Sequence, residues 1–174
     1  TSGDYLPLFS DGTKIEQTTY DSEVQSITSA GFTVGTQPHA GNNGTNYVGL
    51  AWKANGASRT TFTESGANPG GGHQANTTAG FSIVDYTGTG SAGTVSHGLG
   101  AEPKVLIVKN RDATTDWAVY HRHARSAGTD SYLELNTAEA VATTETVGYD
   151  ITPSSSVVTV GTTSTTNTDG KTYI

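Results

Sequence analysis

The chain has 174 residues, neither cysteine nor methionine, and a formal net charge of −7. This excludes disulfides, thiol chemistry and Cys-ligated metals, and it leaves no basic stripe to replace phosphate counterions on a nucleic acid. No apolar run approaches the roughly 18 to 20 residues that cross a bilayer, so membrane insertion is not expected.

Threonine is the commonest residue, Gly reaches 22, and only 14% of residues are charged. That mixture suits pleated, half-buried strands joined by tight turns, not charge-solvated disorder. Residues 1–52 read as short strands. Tyr5–Phe9 ends at the turn Ser10-Asp11-Gly12, Val24–Ile27 is followed by Phe32–Val34, and Asn46–Trp52 closes the series after Gly41-Asn42-Asn43-Gly44. The spacing of about 8 to 12 residues per strand and turn is the rhythm of all-β sandwiches and barrels.

Residues 53–78 hold Phe62 but almost no other large apolar side chain, and they include Asn68-Pro69-Gly70-Gly71-Gly72-His73. This composition predicts a Gly/Thr/Asn-rich linker or exposed loop. Strand rhythm resumes with Phe81–Tyr86 and Thr94–His97. Lys104–Lys109 is the most apolar run and is the expected central core strand; Asp116–His121 follows it. Only Ala138–Ala142 leans helical, over about one turn, so the sheets must be antiparallel, without crossover helices.

The beginning of the chain reappears at its end. Tyr5-Leu6-Pro7-Leu8 returns as Tyr132-Leu133-Glu134-Leu135, and Tyr20-Asp21 as Tyr149-Asp150. Phe32–Thr36 returns as Val158–Thr162, and Asn43–Val48 as Asp169–Ile174, an offset of 173 − 47 = 126. A repeat defines the structural unit. The expected organisation is therefore the C-terminal half of one repeat over 1–52, the linker 53–78, and a nearly complete second repeat over 79–174. The second copy stops short of a counterpart to Gly49–Trp52, which predicts a chain completed by neighbouring polypeptide.

Local motifs carry little chemistry. Gly88-Thr89-Gly90-Ser91-Ala92-Gly93 fits GxGxxG, but no helix can follow it, so it reads as a glycine hairpin loop and not as a nucleotide site. Asn110, Asp112 and Asp116 share a loop whose oxygens could collect Ca²⁺, against the alternative that they cap their own backbone. His121 and His123 share a strand face at a chelating spacing, but Arg122 and Arg125 oppose a cation there. No GxSxG or HExxH occurs, and the isolated acids Asp85, Glu102 and Asp150 give no sign of the facing pair a glycosidase needs. Trp117, Tyr120, His121 and His123 are the candidate glycan contacts, with core packing as the rival role for Trp117.

The stretches Gln74–Gly90, Val95–Arg111 and Trp117–His121, preceded by Tyr47–Gly56, resemble an uncharacterised repeat domain of large structural proteins in tailed phages, many of them marine, often beside concanavalin-like lectin domains. The resemblance implies a virion or extracellular location, in a tail fibre, appendage or surface-decoration module. It also implies as partners other virion proteins or copies of the chain, and a host-surface glycan. It brings no catalytic residue and no cofactor. The expected fold is an antiparallel β-sandwich of jelly-roll or lectin-like type. The expected function is structural and adhesive, with a carbohydrate-binding module and a polysaccharide-degrading enzyme as alternatives.

Overall fold

The computed structural model describes residues 7–17, 23–36, 38–54, 58–124, 131–141 and 151–174. Every named element is a β-strand, and every strand pairing is antiparallel. The chain divides into two compact units. Unit 1 comprises 1–9 and 16–51, and unit 2 comprises 10–15 and 52–174.

Among the described residues, unit 1 holds one hairpin, β1 (Val24–Thr28) and β2 (Gly31–Val34). Thr28 closes its turn, because its hydroxyl accepts from Ala30 N and donates to Gly31 O. Ser26 and Thr33 sit opposite each other and bond through their hydroxyls. Residues 46–52, expected as a strand, enter no ladder among the described residues.

Unit 2 opens with β3 (Thr60–Phe62), β4 (Gly70–Asn76) and β5 (Phe81–Thr87). The expectation of a linker over 53–78 is overturned here. β4 pairs with β5 from Gly70↔Thr87 to Asn76↔Phe81, β3 pairs with β4, and Phe62 packs on the core. The glycines are required by close approach, not by flexibility: a Cβ on Gly71 would lie 2.1 Å from Asp85 O. Thr77–Gly80 turn the chain, with Asn76 Oδ1 accepting from Ala79 N and Gly80 at φ +67°.

The glycine loop after β5 leads to β6 (Gly93–Ser96), which belongs to a different sheet. The loop is therefore a corner between sheets, and the hairpin expectation is corrected. Next come β7 (Val105–Val108), β8 (Ala118–His121) and β9 (Leu133–Glu134), in the order β7-β8-β9. The apolar run is thus an edge strand of its sheet with Val105 and Ile107 exposed, and the buried central strand is β8. Ala138–Val141 carry no helix, and Ala142 lies outside the described residues.

The chain closes with β10 (Thr152–Pro153), β11 (Val157–Val160) and β12 (Thr172–Tyr173). β11 lies between β10 and β6, and β12 lies on β5 to complete the sheet β12-β5-β4-β3. The other side of β12 bonds the stretch just after β7: Lys109 N donates to Ile174 O at 2.8 Å and Arg111 N to Thr172 O at 2.9 Å. All three sheets feed one core, through Tyr86 and Tyr173, then Val95, Val158 and Val160, then Val108, Ala118 and Tyr120. Burying each large side chain contributes on the order of 1.5 to 3 kcal/mol, so the closing segment is a main source of unit 2's stability.

Candidate functional site

The four candidate glycan contacts do not form one surface. Tyr120 is buried in the core and cannot meet a ligand. Trp117 is half-buried, with Nε1 donating to Gly12 O at 3.2 Å. His121 and His123 do come together, their ring centroids 5.9 Å apart and tilted by 47°.

One oxygen of each candidate Ca²⁺ ligand accepts a hydrogen bond. Asn110 Oδ1 accepts from Asp112 N, Asp112 Oδ2 accepts from the amide and hydroxyl of Thr172, and Asp116 Oδ1 accepts from Asn136. Burial pushes the Asp112 carboxyl up, but the two Thr172 bonds together with Lys171 and Arg111 bring it below its ordinary value. The loop instead surrounds an ammonium. Lys109 has no exposed surface, and its Nζ donates to the carbonyls of Thr13, Ala113 and Thr115 at 3.3, 3.0 and 2.9 Å. Burial lowers its pKa, opposed by Asp116. Nothing in the sequence distinguished this lysine from Lys104 at the other end of the same run.

Among the acids, Asp85 is forked onto Arg59, and Glu102 faces Lys104 at 3.7 Å. Asp150 lies outside the described residues. No group of three or more metal-binding side chains occurs among the described residues.

The densest polar chemistry lies where residues 151–174 lock onto β5 and β6. Asn167 is fully buried; its Oδ1 accepts from Thr89 N at 2.9 Å, and its Nδ2 donates to Ser91 O and Gly161 O, both at 2.7 Å. Tyr173 stacks on Tyr86 with centroids 5.0 Å apart, and Tyr86 Oη donates to Thr166 O at 2.6 Å. Burial, with Tyr173 next, raises the Tyr86 pKa well above its ordinary value. His97, almost fully buried, accepts at Nδ1 from Leu99 N and bonds Ser154 O through Nε2 at 3.3 Å. Burial lowers its pKa, Ser154 O opposes the shift, and His73 adds to it. A neutral ring with its proton on Nε2 satisfies both bonds.

The same closing geometry occurs in unit 1, 126 residues earlier (173 − 47). The pairs Ser26↔Thr33 and Ile27↔Phe32 fall in the register of Thr152↔Thr159 and Pro153↔Val158. Thr28 closes its turn with the two bonds that Ser154 makes to Val157 O and Ser156 N. Tyr47 Oη accepts from Asn42 N and donates to Pro38 O, as Tyr173 Oη accepts from Thr168 N and donates to Ser164 O. Thr45 N bonds Asn42 O as Lys171 N bonds Thr168 O, and Gly44 and Gly170 have φ of +78° and +68°.

The surroundings differ. Phe32, Val34 and Tyr47 are 51%, 39% and 42% exposed, whereas Val158, Val160 and Tyr173 are 8%, 2% and 0% exposed. The sequence carries no sign of this difference in cover.

One family accounts for the chain from residue 2 to 174, a domain described only as being of unknown function, DUF7483. No curated protein and no solved structure matches it. On that match, which covers both units, the chain belongs to DUF7483.

Proposed function

We propose that the chain is a non-enzymatic, repeated β-module of a tailed-phage virion, in a tail fibre, appendage or surface decoration, serving assembly and attachment to the host surface. The observation that carries this reading is the recurrence of register, turn bonds and tyrosine bonds between 26–47 and 152–173. Repetition of one closing geometry is how arrays of modules are built. The resemblance of Gln74–Gly90 and Val95–Arg111 to phage structural repeats supplies the virion setting, and a jelly-roll or lectin-like sandwich is the finer fold that setting suggests. The partitioning of chemistry agrees with it, because the buried Lys109, Asn110 and Asn167 spend their polar groups inside the fold.

Antibodies against this chain should label purified tailed-phage particles in the electron microscope, with its peptides in the particle digest. Particles of a phage encoding the chain that contain neither would sink the virion reading. A carbohydrate-binding role rests on the His121–His123 ring pair, which is outside the core. A glycan-array signal lost on His123→Ala would favour it.

A further inference from the structure

We infer that the exposed apolar face of unit 1 is a docking surface for a strand pair of the make of β5 and β6, carried by a module of this kind lying ahead of unit 1 in the polypeptide. The inference builds on the recurrence argued above and does not need the virion assignment.

Unit 2 shows what covers this face. There β11 lies along β6, with Val158 opposite Val95 and Val160 opposite Gly93. Tyr173 stands opposite Tyr86 on β5, and the backbone of Ile174 bonds both ways to Lys109. At the offset of 126, β2 is the counterpart of β11, and 46–48 of 172–174. Among the described residues β2 pairs only with β1, so its outer edge offers free donors and acceptors at the positions where β11 receives β6. Such an edge is a template for a further strand, and the register is already set by the hairpin.

The side chains fit the same occupant. Phe32 and Val34 take the places of Val158 and Val160, and Tyr47 that of Tyr173. Phe32 would stand opposite the counterpart of Val95 and Tyr47 opposite that of Tyr86, while Val34, like Val160, would face the counterpart of Gly93. Thr28 O would receive the imidazole that corresponds to His97, as Ser154 O does in unit 2. One position departs. Gly41 stands where Asn167 does, and a Cβ there would lie 1.7 Å from Gly35 O, the counterpart of the Gly161 O that Asn167 bonds. The incoming corner loop therefore meets backbone in place of the buried amide, and its sequence need not copy Thr89–Ser91.

The occupant lies ahead of unit 1 because in unit 2 the receiving strands precede the segment that closes them. A second identical chain is a poor occupant, since its own β5 and β6 already hold β12 and β11.

The test is hydrogen exchange on the full chain, with and without a copy of residues 58–126 joined ahead of Thr1. Extension is expected to slow exchange at Gly31–Val34 and 46–48 at least tenfold, and Val95→Asp placed in the extension alone is expected to abolish that protection. Unchanged exchange at Gly31–Val34 would overturn the inference, whether or not the extension itself becomes protected, because docking is what should complete both. Protection that rises with concentration in the unextended chain would also overturn it, by identifying a second copy as the cover.

Discussion

Residues 26–48 and 152–174 make the same turns and the same tyrosine bonds, yet only the second set lies in a core. The difference separates two contributions usually merged in one account of stability. Local bonding fixes conformation in both places. Both have a hairpin ladder, but burial and a further ladder beyond the hairpin belong to the second alone, because β5, β6 and Lys109–Arg111 are there to supply them. The contrast is sharpest at 46–48 and 172–174, where the earlier stretch has no ladder and the later one contains a strand. A strand is a relation between two segments, so the same pattern counts as one only beside a partner.

The largest effect that could break this comparison is at the paired tyrosines. Tyr173→Ala removes a fully buried ring stacked on Tyr86 and should destabilise unit 2 by about 3 to 5 kcal/mol in a denaturant titration. Tyr47→Ala should cost unit 1 only about 1 kcal/mol, the scale of its hydroxyl bonds. Equal losses would mean that cover does not distinguish the two segments.

Asn167→Ala comes next. It leaves Thr89 N, Ser91 O and Gly161 O without their buried partner and should cost unit 2 about 2 to 3 kcal/mol. Measured by the same titration, a loss under about 0.5 kcal/mol would remove the amide from the lock.

A smaller effect is set by pH. The folded-state pKa of His97 is lowered, so the folded state holds its proton more weakly than the unfolded chain. Its contribution is fully present above the unfolded value of about 6.5 and is lost as pH falls from there through the folded pKa. Unit 2 should therefore lose stability as pH falls below about 6.5, and His97→Gln should flatten that slope. An unchanged slope in the variant would place the titrating group elsewhere.

The smallest expected effect is at the turns. Thr28→Ala and Ser154→Ala each delete a hydroxyl that closes a hairpin, and each should cost about 1 kcal/mol, read as faster exchange at Ala30 and Ser156. Here the two units should behave alike, since the bonds are local and do not depend on cover.

Much of this was legible in the sequence. The stretches matched at an offset of 126, Phe32–Thr36 and Asn43–Val48, hold β2 in part and the Tyr47 turn. The pairs carried by Tyr5, Tyr20 and Tyr149 lie outside the described residues. Strand-forming runs bounded by turn residues placed β5, β6, β7 and β8 close to their observed limits. Gly70–Gly72 misled, because composition reads glycine as backbone freedom, while here it admits neighbouring chain: Gly72 lies against the Arg59 guanidinium and Gly71 against Asp85 O. Tyr120 misled for a related reason. Period-2 alternation assigns one face to the core, but β8 lies between β7 and β9 and is buried at Ala118, Val119 and Tyr120 in turn.

Lys109 gives the loop over residues 109–116 its organising charge through a covalent tether. A dissolved ion holds such carbonyls only while its concentration exceeds a dissociation constant, and a chelator or dilution removes it. An ammonium on the same backbone acts at a fixed effective concentration that the surrounding medium cannot alter. The order of this loop is therefore expected to survive a chelator, read as unchanged hydrogen exchange over residues 109–116 with and without EDTA, as long as the pH leaves the amine protonated.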